Sequence, residues 1–248
     1  FILIGCADLD LQPTDMIAED AVKKDPKLVE AFLTKIYANA NFEPNEGRGY
    51  PNQDRLTDAV LGGEYTLMAP WQLGIQASTH IPTSAGAHSR IAKFQYGNIR
   101  STNEIIEILN EASFDPQTVK EQIAEAKFLR AWMYFEMVKR YGGVPLELEP
   151  KQVDAPVDEL MIPRSSLKDC YDQIIADLDA GIADLPPTAI SGKATSMAAR
   201  ALKSRAALFA GRIAKYHPQS ANGLTSIPAS SAQAYYQMAH GAASAVIE

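Results

Sequence analysis

Several things are scarce in this chain. Two cysteines stand in 248 residues, Cys6 and Cys170, far apart and in no metal-ligand or redox spacing. Four histidines supply no evident catalytic base, and the serine-hydrolase, zinc-protease and phosphate-loop motifs are missing. Neither an enzyme nor a cofactor is therefore expected. Lysine and arginine form no run and the formal net charge is −7. Nucleic acid is then not an expected partner, because phosphate contacts need clustered positive charge. No apolar run approaches the roughly 20 residues of a membrane-spanning helix. Alternating apolar and polar runs are missing too, which argues against a sheet-based domain.

What is present is helical periodicity, in a chain 46% apolar and 21% charged, long enough for a sizeable core. The most heavily marked stretch is residues 115–145. Asp115 can cap a helix and Pro116 fits its first position. Gly142 and Gly143 can close it, and Pro145 forbids its resumption. The helix between them is roughly 37 Å long. Ala124, Phe128, Ala131, Phe135 and Val138 form one apolar stripe, and Leu129, Trp132, Met133 and Met137 a second. A helix apolar on two sides has neighbours on two sides. Glu136 pairs at helical spacing with Lys139 or Arg140. Arg130 lies between apolar neighbours, where a buried guanidinium needs a carboxylate or carbonyl from another helix. It reads as an internal fastener.

Further helices follow the same logic. Asp25-Pro26 opens one that runs to about Asn39, with Val29, Phe32, Leu33, Ile36 and Tyr37 inward. Another starts around Gly97-Asn98, carries Ile105, Ile106, Ile108 and Leu109, and pairs with the helix after it. Pro150, Pro156 and Pro163 make the next connector too proline-rich for helix or central strand. Ser165 or Ser166 then caps a helix striped by Leu167, Tyr171, Ile174, Leu178 and Ile182, with Asp169 as a capping-box-like partner. Cys170 reads as a small core group, and Asp177 and Asp179 as a solvated face. A helix over about 195–216 uses Leu202, Ala206, Phe209 and Ile213. The last, about 232–247, uses Tyr235, Met238, Ala239, Ala242 and Val246. Two helix pairs starting about 67 residues apart, near Asn98 and Ser165, fit twice the about 34-residue tetratricopeptide spacing.

Residues 41–93 differ: rich in Gly, Asn, Pro, Ser and Thr, with little regular pattern. Such regions carry function more often than packing. Tyr50, Tyr65, Trp71, His80 and His88 are its possible ligand-facing groups, although a tryptophan in a loop such as Trp71 is more often a plug over a core than a sugar platform. The spacing of His80 and His88 does not suggest a metal site. At the chain start, Phe1-Ile2-Leu3-Ile4-Gly5 looks like the end of a secretory signal's apolar core. Leu3-Ile4-Gly5-Cys6 is similar to a bacterial lipobox, which would make Cys6 a lipidated terminus. The alternative is an ordinary cysteine in a buried edge segment.

Glu125-Ala126-Lys127-Phe128-Leu129-Arg130-Ala131, then Tyr134-Phe135 and Arg140-Tyr141-Gly142-Gly143-Val144-Pro145-Leu146, resemble the signature of the SusD/RagB family of outer-membrane nutrient-binding lipoproteins. The run around Tyr96, Ile99, Asn103 and Ile106, the segment 171–178, Leu185-Pro186 and Ala198-Ala199-Arg200-Ala201-Leu202 follow the same pattern in order. The resemblance implies an all-α, tetratricopeptide-like helical-repeat scaffold with long irregular loops. It implies a lipid anchor on Cys6 at the outer membrane, facing the cell surface, and an oligosaccharide ligand. It does not reach the loop region 41–95, where Trp71, Tyr65 and His80 are expected to meet that ligand from the character of the loop alone. The implied partner is a TonB-dependent, SusC-like transporter. On this reading residues 1–5 are a signal remnant, 6–24 a lipidated tether, and 25–248 a helical domain with a loop insertion over 41–95. The whole protein is then expected to be about twice this length. A tetratricopeptide-like scaffold binding a protein or peptide is the alternative, and it leaves Cys6 and the signature unexplained.

Overall fold

The structure is a computed structural model and describes residues 19–40, 94–152, 154–190 and 192–247. Among them every regular element is helical: α1 Glu19–Val22, α2 Pro26–Asn39, α3 Tyr96–Asn110, α4 Pro116–Tyr141, α5 Val157–Leu160, α6 Leu167–Asp184, α7 Ser196–Tyr216 and α8 Ala232–Ile247. A single 3-10 turn, Ala229–Ser231, leads into α8.

The helix ends follow from local chemistry. Asp25 accepts a hydrogen bond from the backbone N–H of Lys27 at 2.9 Å. Asp115 accepts from the backbone N–H and the hydroxyl of Thr118 at 2.8 and 2.9 Å. These bonds, the backbone one first, hold its carboxyl below the usual range. Ser166 caps α6 by accepting from the Asp169 N–H, and its own hydroxyl donates to the Asp169 carboxylate at 2.6 Å. Thr195 caps α7 through the Ala198 N–H. Each satisfies a donor that the first turn leaves open. The proline-rich connector is irregular except for the single turn of α5, which Pro156 starts, since proline suits the entrance to a turn.

Packing runs in series. α3 lies on α4, α4 on α6, α6 on α7 and α7 on α8, while α2 closes over α3 and α4. This is the stacking of helix pairs expected from the spacing. α4 is its centre: Leu129, Ala131, Met133, Tyr134 and Phe135 are each 0% exposed. Gln122, Glu125 and Arg130 are buried there too.

Arg130 is the fastener. Its Nε and Nη2 donate to the two oxygens of Asp177 on α6 at 2.8 and 2.7 Å. Nη1 donates to Asn103 Oδ1 on α3 at 2.8 Å and to the Leu148 carbonyl at 3.2 Å. One side chain thus joins three helices and the connector. Burial works against its charge, but the Asp177 carboxylate outweighs it and holds the guanidinium more firmly protonated than usual. Asp177 is only 3% exposed, so the expected solvated face is corrected: Asp179 alone is on the surface, paired with Lys203.

α7 departs from its expected stripe. Leu202 and Ala206 are buried, but Phe209 is 39% exposed. The buried residues of its second half are all small: Ala206, Ala207, Ala210, Gly211 and Ala214. A Cβ on Gly211 would lie 2.9 Å from the Tyr236 ring, so the contact admits only small side chains. Met238 in α8 is likewise exposed; Tyr235, Ala239 and Ala242 carry the contact.

Candidate functional site

At the end of α4 the backbone turns sharply. Gly142 has φ +73°, and a Cβ there would meet the Leu224 carbonyl oxygen at 2.3 Å. A Cβ on Gly143 would meet the Ser165 carbonyl oxygen at 2.1 Å. The Gly143 N–H donates to Leu224 O at 2.6 Å. Two glycines therefore let three segments close on the helix end. Arg164 seals it from the other side, with Nε donating to Gly143 O at 2.7 Å and Nη2 to Tyr141 O at 2.6 Å. A guanidinium on the last carbonyls also complements the negative end of the helix dipole.

This turn brings aromatic rings together. Phe94 stacks on Tyr141 with centroids 4.3 Å apart and planes 15° from parallel. Tyr96 continues the stack, 6.3 Å from Phe94. With Val144, Pro145 and Arg164 they line an open cleft of ≈ 560 Å³. Phe94 is 47% exposed, an apolar face presented to solvent. The Tyr96 hydroxyl donates to Pro145 O at 3.0 Å, and burial pushes its pKa up. Burial also raises that of Tyr141, so both phenols stay protonated at neutral pH. Flat apolar rings, phenolic hydroxyls and a guanidinium suit stacking and hydrogen bonding to a neutral polyhydroxylated ligand. A second cleft, ≈ 370 Å³, lies between α3 and the connector and is lined by Asn103, Glu107, Asn110 and Leu148. Asn103 there is held by Arg130 and by Glu147 O, which marks it as structural.

Among the described residues, no group of three or more His, Cys, Asp or Glu is placed to hold a metal ion. The residues expected to matter from sequence, Cys6, Tyr65, Trp71 and His80, lie outside the described residues, as do Tyr50 and His88. The cleft residues Phe94 and Arg164 drew no attention in the sequence. Their signal was faint: an aromatic two positions before Tyr96, and a lone arginine after Pro163.

Among known proteins, the SusD-like family described as "Starch-binding associating with outer membrane" matches residues 9–208. SusD-like protein P2 of Formosa agariphila is 25% identical over 207 residues, which is 79% of this chain and 39% of that protein. A SusD-like protein of Bacteroides ovatus is 26% identical over 214 residues, 82% of this chain and 36% of that protein. This chain thus spans well under half the length of the curated relatives it matches. The crystal structure of a SusD-like protein from Bacteroides fragilis aligns over 96% of this chain and 41% of its own, with TM-score 0.64 and 26% identity. A laminarin-binding SusD-like protein shares the fold over 90% of this chain and 43% of its own, with TM-score 0.64 and 21% identity. The helical scaffold, tetratricopeptide-like as in these neighbours, and the family match over residues 9–208 agree with the run from Phe128 to Leu146, and the chain belongs to the SusD-like family.

Proposed function

We propose that this protein binds nutrient oligosaccharides at the bacterial surface and passes them to a TonB-dependent, SusC-like transporter, without catalysing a reaction. The match of residues 9–208 to a starch-binding, outer-membrane-associated family carries this reading. The laminarin-binding neighbour supports it, and the exposed Phe94 ring beside Tyr141 and Arg164 is the kind of surface a sugar ring stacks on. Trp71, Tyr65 and His80 would add to the ligand surface. Cys6, in its lipobox-like setting, would carry the acyl chains; each buried CH₂ contributes about 0.8 kcal/mol, and two or more chains hold a protein stably on a membrane. Residues 25–248 would then form the helical scaffold of a longer protein.

The test is calorimetric titration of the full-length protein with laminarin and starch oligosaccharides. Binding is expected, weakened about tenfold or more in Phe94→Ala. A protein that is folded by circular dichroism and binds neither of these glycans nor an acidic oligosaccharide refutes the reading, and capture of a peptide in place of a sugar favours the scaffold alternative. In the precursor, Cys6→Ser is expected to release the protein from the membrane fraction.

A further inference from the structure

The outward face of α7 carries a pattern that the packing uses only at its base. Arg205, Phe209, Arg212 and Tyr216 step by four, three and four, so cations and aromatic rings alternate along one helical stripe. All four are exposed, Tyr216 by 70%. The stripe is about 16 Å long at the helical rise. Its C-terminal part, with Leu208, Ile213 and His217, surrounds an open cleft of ≈ 440 Å³.

The base of the stripe is fixed in α4. Phe209 meets Phe135 edge to face, with centroids 5.5 Å apart at 88°. Over the same Phe135 ring stand Lys139 Nζ at 4.7 Å and Arg205 Cζ at 5.9 Å from the centroid. Lys139 and Arg140 share the one carboxylate of Glu136 here, and Arg205 stands over the Phe135 ring with no ion-pair partner among the described residues. The Lys139 pKa is pushed down, by burial first and then by the charges of Arg140 and Arg205. Arg212 has no hydrogen-bond or ion-pair partner among the described residues. α7 holds five basic residues and no Asp or Glu in its 21 residues, in a chain whose net charge is −7.

Ordinary explanations cover part of this. The helix dipole favours Lys215 in the last turn, but its influence fades before Arg212 and Arg205. Single exposed apolar residues are common; here Leu208, Phe209 and Tyr216 are grouped, and guanidinium groups stand between the rings. A face built to pack against apolar protein would not space unpaired arginines along it, because each would lose its hydration without a partner.

We propose that this stripe binds an acidic glycan, with sugar rings stacked on Phe209 and Tyr216 and their carboxylate or sulfate groups paired to Arg205 and Arg212. A guanidinium fork matches such oxyanions with two parallel hydrogen bonds. The inference rests on the oligosaccharide-binding reading above and narrows its ligand class.

The experiment titrates the full-length protein with oligogalacturonate, a sulfated carrageenan oligosaccharide and a neutral laminarin oligosaccharide, at low and high salt. An acidic probe is expected to bind and to weaken as salt rises. Arg205→Gln with Arg212→Gln lowers that affinity at least tenfold, Tyr216→Ala several-fold, and neither changes laminarin binding. The proposal is overturned if neither acidic probe binds, or if the double variant binds acidic probes as wild type does. If laminarin alone binds, the general reading survives and this one fails; if nothing binds, both fail. A double variant with a lowered Tm and unchanged affinity for acidic glycan would mean that the stripe is covered by protein, and also overturns it.

Discussion

Arg130 and Asp177, 47 positions apart in sequence, meet through two hydrogen bonds of 2.8 and 2.7 Å in the interior between α4 and α6. Removing one member strands the other as an unpaired buried charge, which costs about 3–5 kcal/mol. Arg130→Met is therefore expected to lower stability by that amount in urea denaturation. Arg130→Met combined with Asp177→Leu is expected to recover most of the loss. Arg130→Lys is expected to fall near the methionine variant, because an ammonium cannot reach Asp177, Asn103 and Leu148 O together. A double variant no more stable than the single one would remove the charge-pair explanation.

Glu125 offers the opposite case. It is 7% exposed, its Oε1 has no hydrogen-bond partner, and burial raises its pKa, against a smaller lowering by its bond to Tyr37. The folded state thus holds this proton more tightly than the unfolded chain, where glutamate titrates near about 4.3. Its contribution to stability is complete below that pH and declines as pH rises through the higher folded value. Glu125→Gln, which cannot ionise, is expected to be more stable than wild type at neutral pH by about 1 kcal/mol. The difference should shrink below pH 4, as read from thermal melts across pH. Equal melting temperatures at every pH would show that Glu125 is not held protonated.

Gly142 and Gly143 need glycine for different reasons. At Gly142 both the positive φ and the Leu224 carbonyl exclude a side chain; at Gly143 the Ser165 carbonyl alone does. Alanine at either position forces the backbone apart and is expected to cost at least about 2 kcal/mol in chemical denaturation. Gly192 also has positive φ but has nothing within 4 Å of its Cβ position, so Gly192→Ala is expected to cost less. The ordering of the three is the check.

Helix ends were the most legible part of this protein. A cap such as Asp115 or Ser166, a proline and a terminal glycine act within one turn, so neighbours in sequence are enough to read them. Phe135 and Met133 were equally plain, because a helix apolar on two sides must have neighbours on both. Asp177 was misread because its partner is on another helix, and an aspartate two positions from Asp179 looks like any surface acid. Phe209 was misread for a different reason. Hydrophobicity favours Phe as the inward residue, but the ring only meets Phe135 edge to face and stays 39% exposed, because the stripe's spacing does not say how far a neighbouring helix covers it. The cleft at Phe94, Tyr141 and Arg164 depends on three segments converging, which periodicity does not encode. Tyr65, Trp71 and His80 rest on the composition of their loop and lie outside the described residues.

The bonds that the segment before α8 makes also tie distant parts of the chain together. Leu224 O accepts from the Gly143 N–H, and Gly223 O from the Leu167 N–H at 2.9 Å. One short loop therefore secures the exit of α4 and the entrance of α6 at once. The two acceptors lie 81 and 56 positions further along the chain than their donors, so each bond closes a long loop, at an entropy cost that grows only slowly with length. The glycine turn that shapes the aromatic cleft is thus held in shape by a segment far from it in sequence, and a change in that segment would be felt in the cleft.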